Sequence, residues 1–237
     1  MKCNVRIKVG YSMKKWENKI KSPFFWQPAA TPHILISGIT GGGKTVLSQW
    51  ILCQLLDTDA NIFICDFKAG GDWDGILQQY AEYADCDKLF DEFYNGFIQT
   101  IEQRGCVNHY LVFDEFTSFM LAKDSKAFKS TMAKVSHIAF MGRSFGYHLI
   151  FISQQFNAKV LDTAIREQFG IKIYMGSTIS TESATMLFPN CDINKSAHLP
   201  KHCGYISLPE KELDVVQMPL IKNPKMLKNL LINKGHP

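Results

Sequence analysis

The chain has 237 residues, of which 46% are hydrophobic and 20% are charged. This composition excludes a disordered or fibrous protein and suffices for one large domain or two small ones. The longest apolar runs, such as residues 149–153, are far too short to cross a bilayer, and the basic amino terminus lacks the apolar segment of a secretory signal. The seven cysteines form no CxxC pair and several lie in apolar runs, as free thiols do in a reducing compartment. We therefore expect a cytoplasmic protein with no membrane span of its own.

The formal net charge of +4 is unevenly distributed along the chain. Residues 1–33 carry a net charge of +6 and residues 215–237 carry +4, so the residues between them carry −6. Two basic ends on an acidic body are suited to contact a polyanion, although solvated termini produce the same pattern more often.

The predicted elements fall into an amino-terminal part and a regular remainder. Residues 3–9 alternate like a strand, and residues 11–32, with three prolines, are expected to form an extended lead-in. From residue 33 onwards, apolar runs alternate with helical patterns. The predicted strands are 33–37, 61–67, 109–115, 147–155, 170–176, 204–208 and 213–218. The predicted helices are 44–57, 87–104, 124–143, 160–169, 181–188 and 224–233.

Strands that are apolar from end to end and alternate with helices predict an α/β fold, with a mostly parallel central sheet and helices on both faces. In such sheets, ligands bind at the carboxyl ends of the strands. The polar residues that follow the first four strands of the regular part are of the kind that binds ligands. They are a glycine-rich loop, Asp66 with Lys68, Asp114 with Glu115, and Gln154.

The glycine-rich loop, residues 38–45 (GITGGGKT), matches the phosphate-binding pattern G-x-x-x-x-G-K-[ST] at every fixed position. A phosphate chain needs several backbone N–H groups pointing at it, and glycines allow the close approach that this requires. The following helix adds the free N–H groups and dipole of its N-terminus. We predict that Lys44 reaches the β- and γ-phosphates of a bound nucleotide and that the Thr45 hydroxyl holds Mg²⁺. The predicted nucleotide-binding residues are Gly38, Thr40, Gly41, Gly42, Gly43, Lys44 and Thr45.

Two acidic residues end the predicted strand 109–115. Asp114 fits the role of the second Mg²⁺ anchor, and Glu115 is placed to orient and deprotonate an attacking water. The alternative is a helix N-cap followed by a first-turn acid. Because the phosphate-binding loop lies upstream, we favour the catalytic interpretation.

Arg143 and Gln154 are weaker candidates. Arg143 is suited to stabilise charge on a transferring γ-phosphate, in its own subunit or in a neighbour, but it could equally satisfy the dipole of a helix that ends there. Gln154 could bond the γ-phosphate or the attacking water, or could be a polar residue at a strand end. Lys68 is ambiguous in the same way.

Two other groups of residues have a functional and a structural interpretation. Cys191, His198, His202 and Cys203 lie close together in sequence, but their spacing is not that of common zinc sites. The aromatic residues 24–26 could stack on nucleic-acid bases, although such a cluster more often packs on the edge of a core.

Four stretches carry a resemblance to a known family: residues 33–47, 62–72, 110–116 and 142–155. With these residues, the chain resembles the FtsK/SpoIIIE/HerA group of RecA-like P-loop ATPases that translocate DNA, over residues 32–210. The small relatives encoded by plasmids and conjugative elements look closest. The resemblance implies a homo-hexameric ring around double-stranded DNA, with ATP and Mg²⁺ bound between subunits. It also implies that Arg143 reaches the neighbour's nucleotide and that Gln154 senses the γ-phosphate.

On this basis we divide the chain into a basic amino-terminal segment (1–32), a RecA-like ATPase domain (33–220) and a basic carboxyl-terminal helix or tail (221–237). The expected function is ATP-driven translocation of double-stranded DNA in the transfer or partition of a mobile element. Residues 117–129 and the basic helix after them are candidates for a sequence-independent grip on DNA phosphates. A relaxase, a replication initiator or a membrane or secretion protein are the expected partners.

Three alternatives remain open at this point. They are a viral-type genome-packaging ATPase, a secretion-type ATPase that moves protein, and a nucleotide-gated adaptor that does not hydrolyse ATP. Glu115 argues against the adaptor, because such a switch does not need a positioned base.

Overall fold

A single ten-stranded sheet forms the framework of the computed structural model, which describes residues 5–105, 107–209, 211–221 and 223–235. The strands are β1 (Ile7–Ser12), β2 (Pro23–Trp26), β3 (Ile34–Gly38), β4 (Asn61–Asp66), β5 (Tyr80–Glu82), β6 (His109–Asp114), β7 (Tyr147–Ser153), β8 (Ile171–Met175), β9 (Cys203–Ser207) and β10 (Asp214–Gln217). Their order across the sheet is β2-β1-β10-β9-β8-β3-β7-β6-β4-β5.

Eight helices surround this sheet within the described residues. They are α1 (Met13–Glu17), α2 (Lys44–Leu55), α3 (Cys86–Gln103), α4 (Phe116–Leu121), α5 (Ser125–Phe145), α6 (Thr163–Glu167), α7 (Thr181–Leu187) and α8 (Pro224–Gly235). Local chemistry sets several of their ends. The Asp124 carboxylate accepts hydrogen bonds from the first free amides of α5, and Gly146, with a φ of 78°, ends that helix.

The strands that carry the predicted site residues are parallel neighbours. From β8 through β3, β7, β6 and β4 to β5, each strand pairs in parallel with the next, so their carboxyl ends share one edge. The strands β9, β10, β1 and β2 extend the sheet in antiparallel fashion beyond β8. This arrangement confirms the predicted mostly parallel α/β sheet.

Both faces of the sheet are buried, which explains the unbroken apolar runs of the strands. Along β3, Leu35 belongs to the core on one face, together with α3, α4, α5, α6 and α7. Its neighbours Ile34 and Ile36 belong to the core on the other face, with α2 and α8. Helices therefore cover both faces, as the sequence pattern predicted.

The amino-terminal lead-in is more ordered than predicted. Residues 11–32 were expected to be extended, but they contain α1 and the strand β2, which pairs with β1. Phe24 and Trp26 are buried on β2, whereas Arg6 lies over the ring of Phe25 with 4.1 Å between the guanidinium carbon and the ring centroid. The aromatic cluster is thus part of the core edge rather than a base-stacking surface.

Several predicted boundaries shift. The short β5 and α4 were not predicted, β1 begins and ends later than residues 3–9, and residues 3–4 of that prediction lie outside the described residues. The helix predicted at 160–169 is confined to Thr163–Glu167, and β7 ends at Ser153, so that Gln154 follows the strand. Across the part of the chain that the structure describes, no helix is long and apolar enough to span a bilayer.

Candidate nucleotide-binding site

A polar cavity of about 300 Å³ lies where β3, β4, β6 and β7 end. It brings together residues that are far apart in sequence. Its lining comprises Thr40, Gly41, Gly43, Lys44, Thr45, Val46, Lys68, Asp72, Asp114, Glu115 and Gln154. Most of the predicted site residues therefore face one cavity; Gly38, Gly42 and Arg143 are the predicted ones that do not line it.

The glycines have two separate physical roles in the loop. Gly41 and Gly43 have φ angles of 74° and 95°, values that residues with a Cβ rarely adopt. Gly38 and Gly42 lie against the end of β8: a Cβ on Gly38 would lie 2.0 Å from the carbonyl oxygen of Met175, and one on Gly42 would lie 2.6 Å from it. Gly38 has both roles, because its φ of 147° is also one that residues with a Cβ rarely adopt. The glycines thus let the loop turn and let it pack against the neighbouring strand.

Lys44 begins α2, and its ammonium folds back over the loop. Its Nζ donates hydrogen bonds to the carbonyl oxygens of Gly38, at 2.9 Å, and of Ile39, at 3.1 Å. Burial lowers the pKa of Lys44 below its usual range, an effect that the nearby carboxylates of Glu115 and Asp114 oppose. The loop therefore holds a cation at the mouth of the cavity without any ion pair to another side chain among the described residues.

Asp114 is the last residue of β6 and is buried, with 6% of its surface exposed. Its Oδ2 accepts a hydrogen bond from Trp73 Nε1 at 2.9 Å, and its Oδ1 accepts one from the Glu115 amide at 3.0 Å. Burial raises the pKa of Asp114 to about 6, and the Asp66 and Glu115 carboxylates add to that shift while the Trp73 hydrogen bond opposes it. A nearby cation would favour the ionised form.

Glu115 adopts the left-handed conformation, with a φ of 56°, between β6 and α4. This conformation is costly for a residue with a Cβ, and such strain occurs most often at functional sites. Glu115 holds the N-cap position of α4, but its side chain accepts no hydrogen bond from the helix amides. Its half-buried carboxylate is instead within 3.4 Å of the Ser118 hydroxyl and borders the cavity. The alternative interpretation of this pair requires a side-chain cap on the helix, and Glu115 does not provide one.

Gln154 and Lys68 both border the cavity, whereas Asp66 supports it from behind. The backbone carbonyl of Gln154 accepts hydrogen bonds from the Gly38 amide and the Ser37 hydroxyl, which ties the end of β7 to the glycine loop. The buried Asp66 carboxylate accepts hydrogen bonds from the backbone amides of residues 68–70, at 3.1 to 3.3 Å. Asp66 thereby shapes the loop that carries Lys68.

Asp72 and Trp73 are site residues that sequence reasoning did not identify. Both lie in the loop after β4, where Asp72 borders the cavity and Trp73 bonds Asp114. The stretch 70–75 (GGDWDG) predicts only a glycine turn. The available signal was a large aromatic residue inside a turn at the edge of the sheet where ligands bind.

Arg143 is remote from the cavity of its own chain. It lies in the last turn of α5, next to the amino end of β7, which is the opposite edge of the parallel strands from the glycine loop. Gly142 makes this position possible, because a Cβ there would lie 2.6 Å from the carbonyl oxygen of Tyr147. The Arg143 side chain is exposed.

A second cavity, of about 420 Å³, lies on the other side of the glycine loop. It shares Gly41, Gly43 and Val46 with the polar cavity, but its lining is mostly apolar. The other lining residues are Gly42, Leu47, Met175, His202, Met218, Pro219, Leu220, Ile221 and Pro224. Residues 218–221, which follow β10, cover one side of it. They are anchored by the hydrogen bond from the Met218 amide to the His202 carbonyl, at 2.8 Å.

The four residues considered as zinc ligands do not form a metal site. Cys203 is buried, with its Sγ 3.2 Å from the side-chain oxygen of Gln217, whereas Cys191 is exposed. Among the described residues, which include all four, no group of three or more histidine, cysteine or acidic side chains is placed to hold a metal.

The donor set of the polar cavity does fit Mg²⁺ with a bound nucleotide. Thr45 offers a hydroxyl oxygen and Asp114 a carboxylate, and both face the same space. Hard oxygen donors of this kind, completed by phosphate oxygens and water, are what Mg²⁺ prefers. Each Asp114 oxygen accepts one hydrogen bond in the structure and retains a lone pair for a metal.

The sheet order, the glycine loop and the acidic end of β6 define a RecA-like P-loop fold. Within this class the chain resembles the FtsK-type ATPases. It is 26% identical over 198 residues to the FtsK domain-containing protein YdcQ of Bacillus subtilis, a match that covers 76% of this chain and 41% of YdcQ. The chain therefore spans less than half of the length of this relative. No family model matches the chain.

Solved structures share the fold at low sequence identity. The pCW3 conjugation coupling protein TcpA, solved with ATPγS, superposes with a TM-score of 0.71 at 19% identity, over 97% of this chain and 71% of TcpA. The cytoplasmic domain of the type VII secretion ATPase EccC of Thermomonospora curvata superposes with a TM-score of 0.74 at 18% identity, over 98% of this chain and 31% of EccC.

Proposed function

We propose that this protein binds ATP with Mg²⁺ and hydrolyses it. The observation that carries the proposal is the polar cavity, because a phosphate-binding loop, two lysines, three acidic residues and a glutamine, all at the ends of four parallel strands, face it. A glycine-rich turn without a ligand would not need a buried lysine and a buried carboxylate on the same cavity.

In this proposal, each side chain has one task. Lys44 exchanges its hydrogen bonds to the loop carbonyls for the β- and γ-phosphate oxygens, and Thr45 and Asp114 hold Mg²⁺. When bound, the metal supplies positive charge that offsets charge on the phosphates. Glu115 accepts a proton from the attacking water, and Gln154 orients that water or the γ-phosphate.

The apolar cavity is suited to the nucleobase. A nucleoside triphosphate has a charged end and a flat, mostly apolar end, and the two cavities on either side of the glycine loop match that division. The shared residues Gly41, Gly43 and Val46 lie where the sugar and the α-phosphate connect the two ends. The two cavities fit a nucleoside triphosphate whose base is held chiefly by apolar contact. We assign ATP on the resemblance to FtsK-type ATPases and on the fold shared with TcpA, which was solved with ATPγS.

We propose that Arg143 acts on the nucleotide of a neighbouring subunit, in a homo-hexameric ring. Within one chain, Arg143 and Lys44 lie at opposite edges of the parallel strands, so Arg143 can reach a nucleotide only in another copy. The exposed apolar side chains of Phe140 and Met141, with 52% and 39% of their surfaces accessible, lie in the turn of α5 that precedes Arg143. A subunit contact there would cover them.

ATP hydrolysis is proposed to drive translocation of double-stranded DNA during transfer of a mobile element. The support comes from the resemblance to FtsK-type ATPases and from the fold shared with a conjugation coupling protein. Within the candidate DNA-binding segment, residues 117–129, the lysines differ in how accessible they are to DNA. Lys123 lies over the Phe119 ring and pairs with Asp87, whereas Lys126 and Lys129 of α5 are exposed. We assign the phosphate contacts to these two lysines and place the protein in the cytoplasm, with a relaxase or other transfer protein as partner.

The fold shared with EccC keeps protein secretion as a second candidate. The test is the ATPase rate with and without duplex DNA across a range of salt concentrations. We expect stimulation that weakens as salt rises, because phosphate contacts release counterions. The variant Lys126→Glu with Lys129→Glu should lose stimulation, whereas Lys88→Glu with Lys211→Glu, which reverses the same number of exposed charges elsewhere, should keep it.

The outcomes separate the alternatives. An ATPase rate that duplex DNA does not change would contradict the proposed DNA translocation and favour an ATPase that moves protein. ATP binding without hydrolysis under any condition would favour a nucleotide-gated adaptor. A viral-type packaging motor would share the response to DNA, so a DNA response supports the class of motor rather than the host process.

A further inference from the structure

The segment after β4, residues 67–79, which we call the Trp73 loop, connects the polar cavity to helix α8. Its residues Lys68 and Asp72 border the cavity. Trp73, in the middle of the loop, does not border the cavity but is fully buried in the core shared by α2 and α8. The packing of Trp73 in this core therefore helps to fix the position of the loop residues that border the cavity.

Trp73 holds the carboxylate that we assign to the metal. The indole N–H donates a hydrogen bond of 2.9 Å to Asp114 Oδ2, and both side chains are buried. An indole N–H can only donate and it is rigid, so it fixes the plane of the carboxylate more tightly than water would. The Glu115 amide holds the other carboxylate oxygen, so the two hydrogen bonds together define its orientation.

Three contacts from two helices, α2 and α8, hold the Trp73 loop from outside the cavity. Gln49 of α2 donates its side-chain N–H to the Asp72 carbonyl at 2.8 Å. The ammonium of Lys228, on α8, donates to the Gly71 carbonyl. At the end of α8, Gly235 lies so close to the loop that a Cβ would be 1.8 Å from the Ile76 carbonyl oxygen. The carboxyl-terminal helix thus contacts the loop at two points, Lys228 and Gly235.

We infer that Trp73 is a positioning residue that sets the affinity of the site for Mg²⁺ through Asp114, and that α8 supports it by fixing the Trp73 loop. This inference rests on the proposed ATP-Mg²⁺ site. Partners that hydrogen-bond to metal ligands orient them, and their removal weakens metal binding by about tenfold or more.

The experiment compares Trp73→Phe with the wild-type chain and with Trp50→Phe, which removes an indole from the partly buried face of α2. The first readout is the Mg²⁺ concentration that gives half of the maximal rise in Tm with ATPγS present. The second is the affinity for a fluorescent ATP analogue in EDTA, which reports nucleotide binding without the metal.

For Trp73→Phe we expect the half-saturating Mg²⁺ concentration to rise about tenfold with the affinity in EDTA unchanged. Trp50→Phe should change neither quantity. Lys228→Met, which keeps the apolar stem and leaves Trp73 intact, should raise the Mg²⁺ requirement in the same direction by a smaller factor. This second variant keeps the test decisive if Trp73→Phe folds poorly.

The inference is overturned if Trp73→Phe and Lys228→Met both keep the wild-type Mg²⁺ requirement, or if they weaken nucleotide binding equally in EDTA and in Mg²⁺. The latter result would mean that the loop serves only to support the fold. Failure of the proposed function is distinguishable, because then the wild-type chain itself would show no rise in Tm with ATPγS and Mg²⁺.

Discussion

The ammonium of Lys44 lies 2.9 Å from the carbonyl oxygen of Gly38, the first glycine of the loop that it is proposed to serve. Together with the bond to Ile39, this contact keeps a buried cation partnered when no phosphate is present. Phosphate oxygens carry more charge than carbonyl oxygens, so bound nucleotide is expected to draw the ammonium away from the loop.

Replacing Lys44 by alanine should therefore abolish measurable nucleotide binding, because the β- and γ-phosphates would lose their charged partner. Binding of a fluorescent ATP analogue, followed by titration, measures the effect. Lys88→Ala, an exposed lysine on α3, is the matched control and should bind like the wild-type chain. Equal affinities for Lys44→Ala and the wild type would contradict the phosphate-loop assignment.

Gly38 and Gly41 differ in how much space surrounds them, so alanine should destabilise the protein to different extents at the two positions. Gly38→Ala should lower the free energy of unfolding by roughly 2–3 kcal/mol, because alanine disfavours its φ of 147° and the new Cβ would also collide with the Met175 backbone carbonyl. In Gly41→Ala the new Cβ has open space around it and only the φ is unfavourable, so the free energy of unfolding should fall by about 1 kcal/mol. Thermal or denaturant unfolding measures both. Similar losses for the two variants would mean that close packing on β8 is not what Gly38 provides.

Glu115→Gln removes the proposed base but keeps the size of the side chain. We expect the turnover of ATP to fall by about 10² to 10⁴-fold while ATP remains bound, because a base in that position contributes a factor of this order. Single-turnover hydrolysis and retention of labelled ATP on the protein measure the two effects. The exposed Glu92→Gln should behave like the wild type. A normal rate in Glu115→Gln would remove Glu115 from its assigned role.

Two buried histidines predict loss of stability at acidic pH. His33 accepts a hydrogen bond from the Leu149 amide on Nδ1 and donates from Nε2 to the Ala139 carbonyl, so its neutral form is fully bonded. Burial lowers the pKa of His33 to about 3 and that of His148 to about 4, from an ordinary value of 6.5. Because the unfolded chain binds these protons first, stability falls as the pH drops below about 6.5.

At pH 5, each of these histidines should reduce the free energy of unfolding by about 2 kcal/mol relative to neutral pH. Asp114, whose folded pKa is raised to about 6, acts in the opposite direction between pH 6 and its ordinary 3.8, and partly offsets the loss. Denaturant unfolding at several pH values measures how steeply the free energy of unfolding depends on pH. His148→Gln should make the slope shallower, whereas the exposed His198→Gln should leave it unchanged; an unaltered slope in His148→Gln would refute the assignment.

Sequence reasoning anticipated the features that depend on local pattern. Residues 38–45 form a glycine loop between β3 and α2, and the central buried strands are parallel, as their apolar runs predicted. The missed features depend on tertiary contact. The proline-containing lead-in becomes β2 because β1 offers it a sheet edge, and Trp73 meets Asp114 only because β4 and β6 are neighbours in the sheet. Neither relationship leaves a periodic signal in the chain.

A mixing experiment tests whether the active site is formed between subunits. Lys44→Ala and Arg143→Ala should each be inactive alone, because one lacks a phosphate ligand and the other lacks the cation supplied to a neighbour. In an equimolar mixture, random assembly pairs an intact Lys44 site with an intact Arg143 neighbour at about a quarter of the interfaces. We expect ATPase activity to recover to about that fraction of the wild-type rate.

The matched control is a mixture of Lys44→Ala with Glu115→Gln. These two residues face the same cavity of one chain, so no arrangement of subunits restores a complete site. This mixture should stay inactive. If the Lys44→Ala and Arg143→Ala mixture is no more active than the control, or if Arg143→Ala alone retains the wild-type rate, Arg143 does not act across a subunit boundary. In that case its place at the end of α5 serves only that helix, where a cation near the carboxyl terminus is favourable.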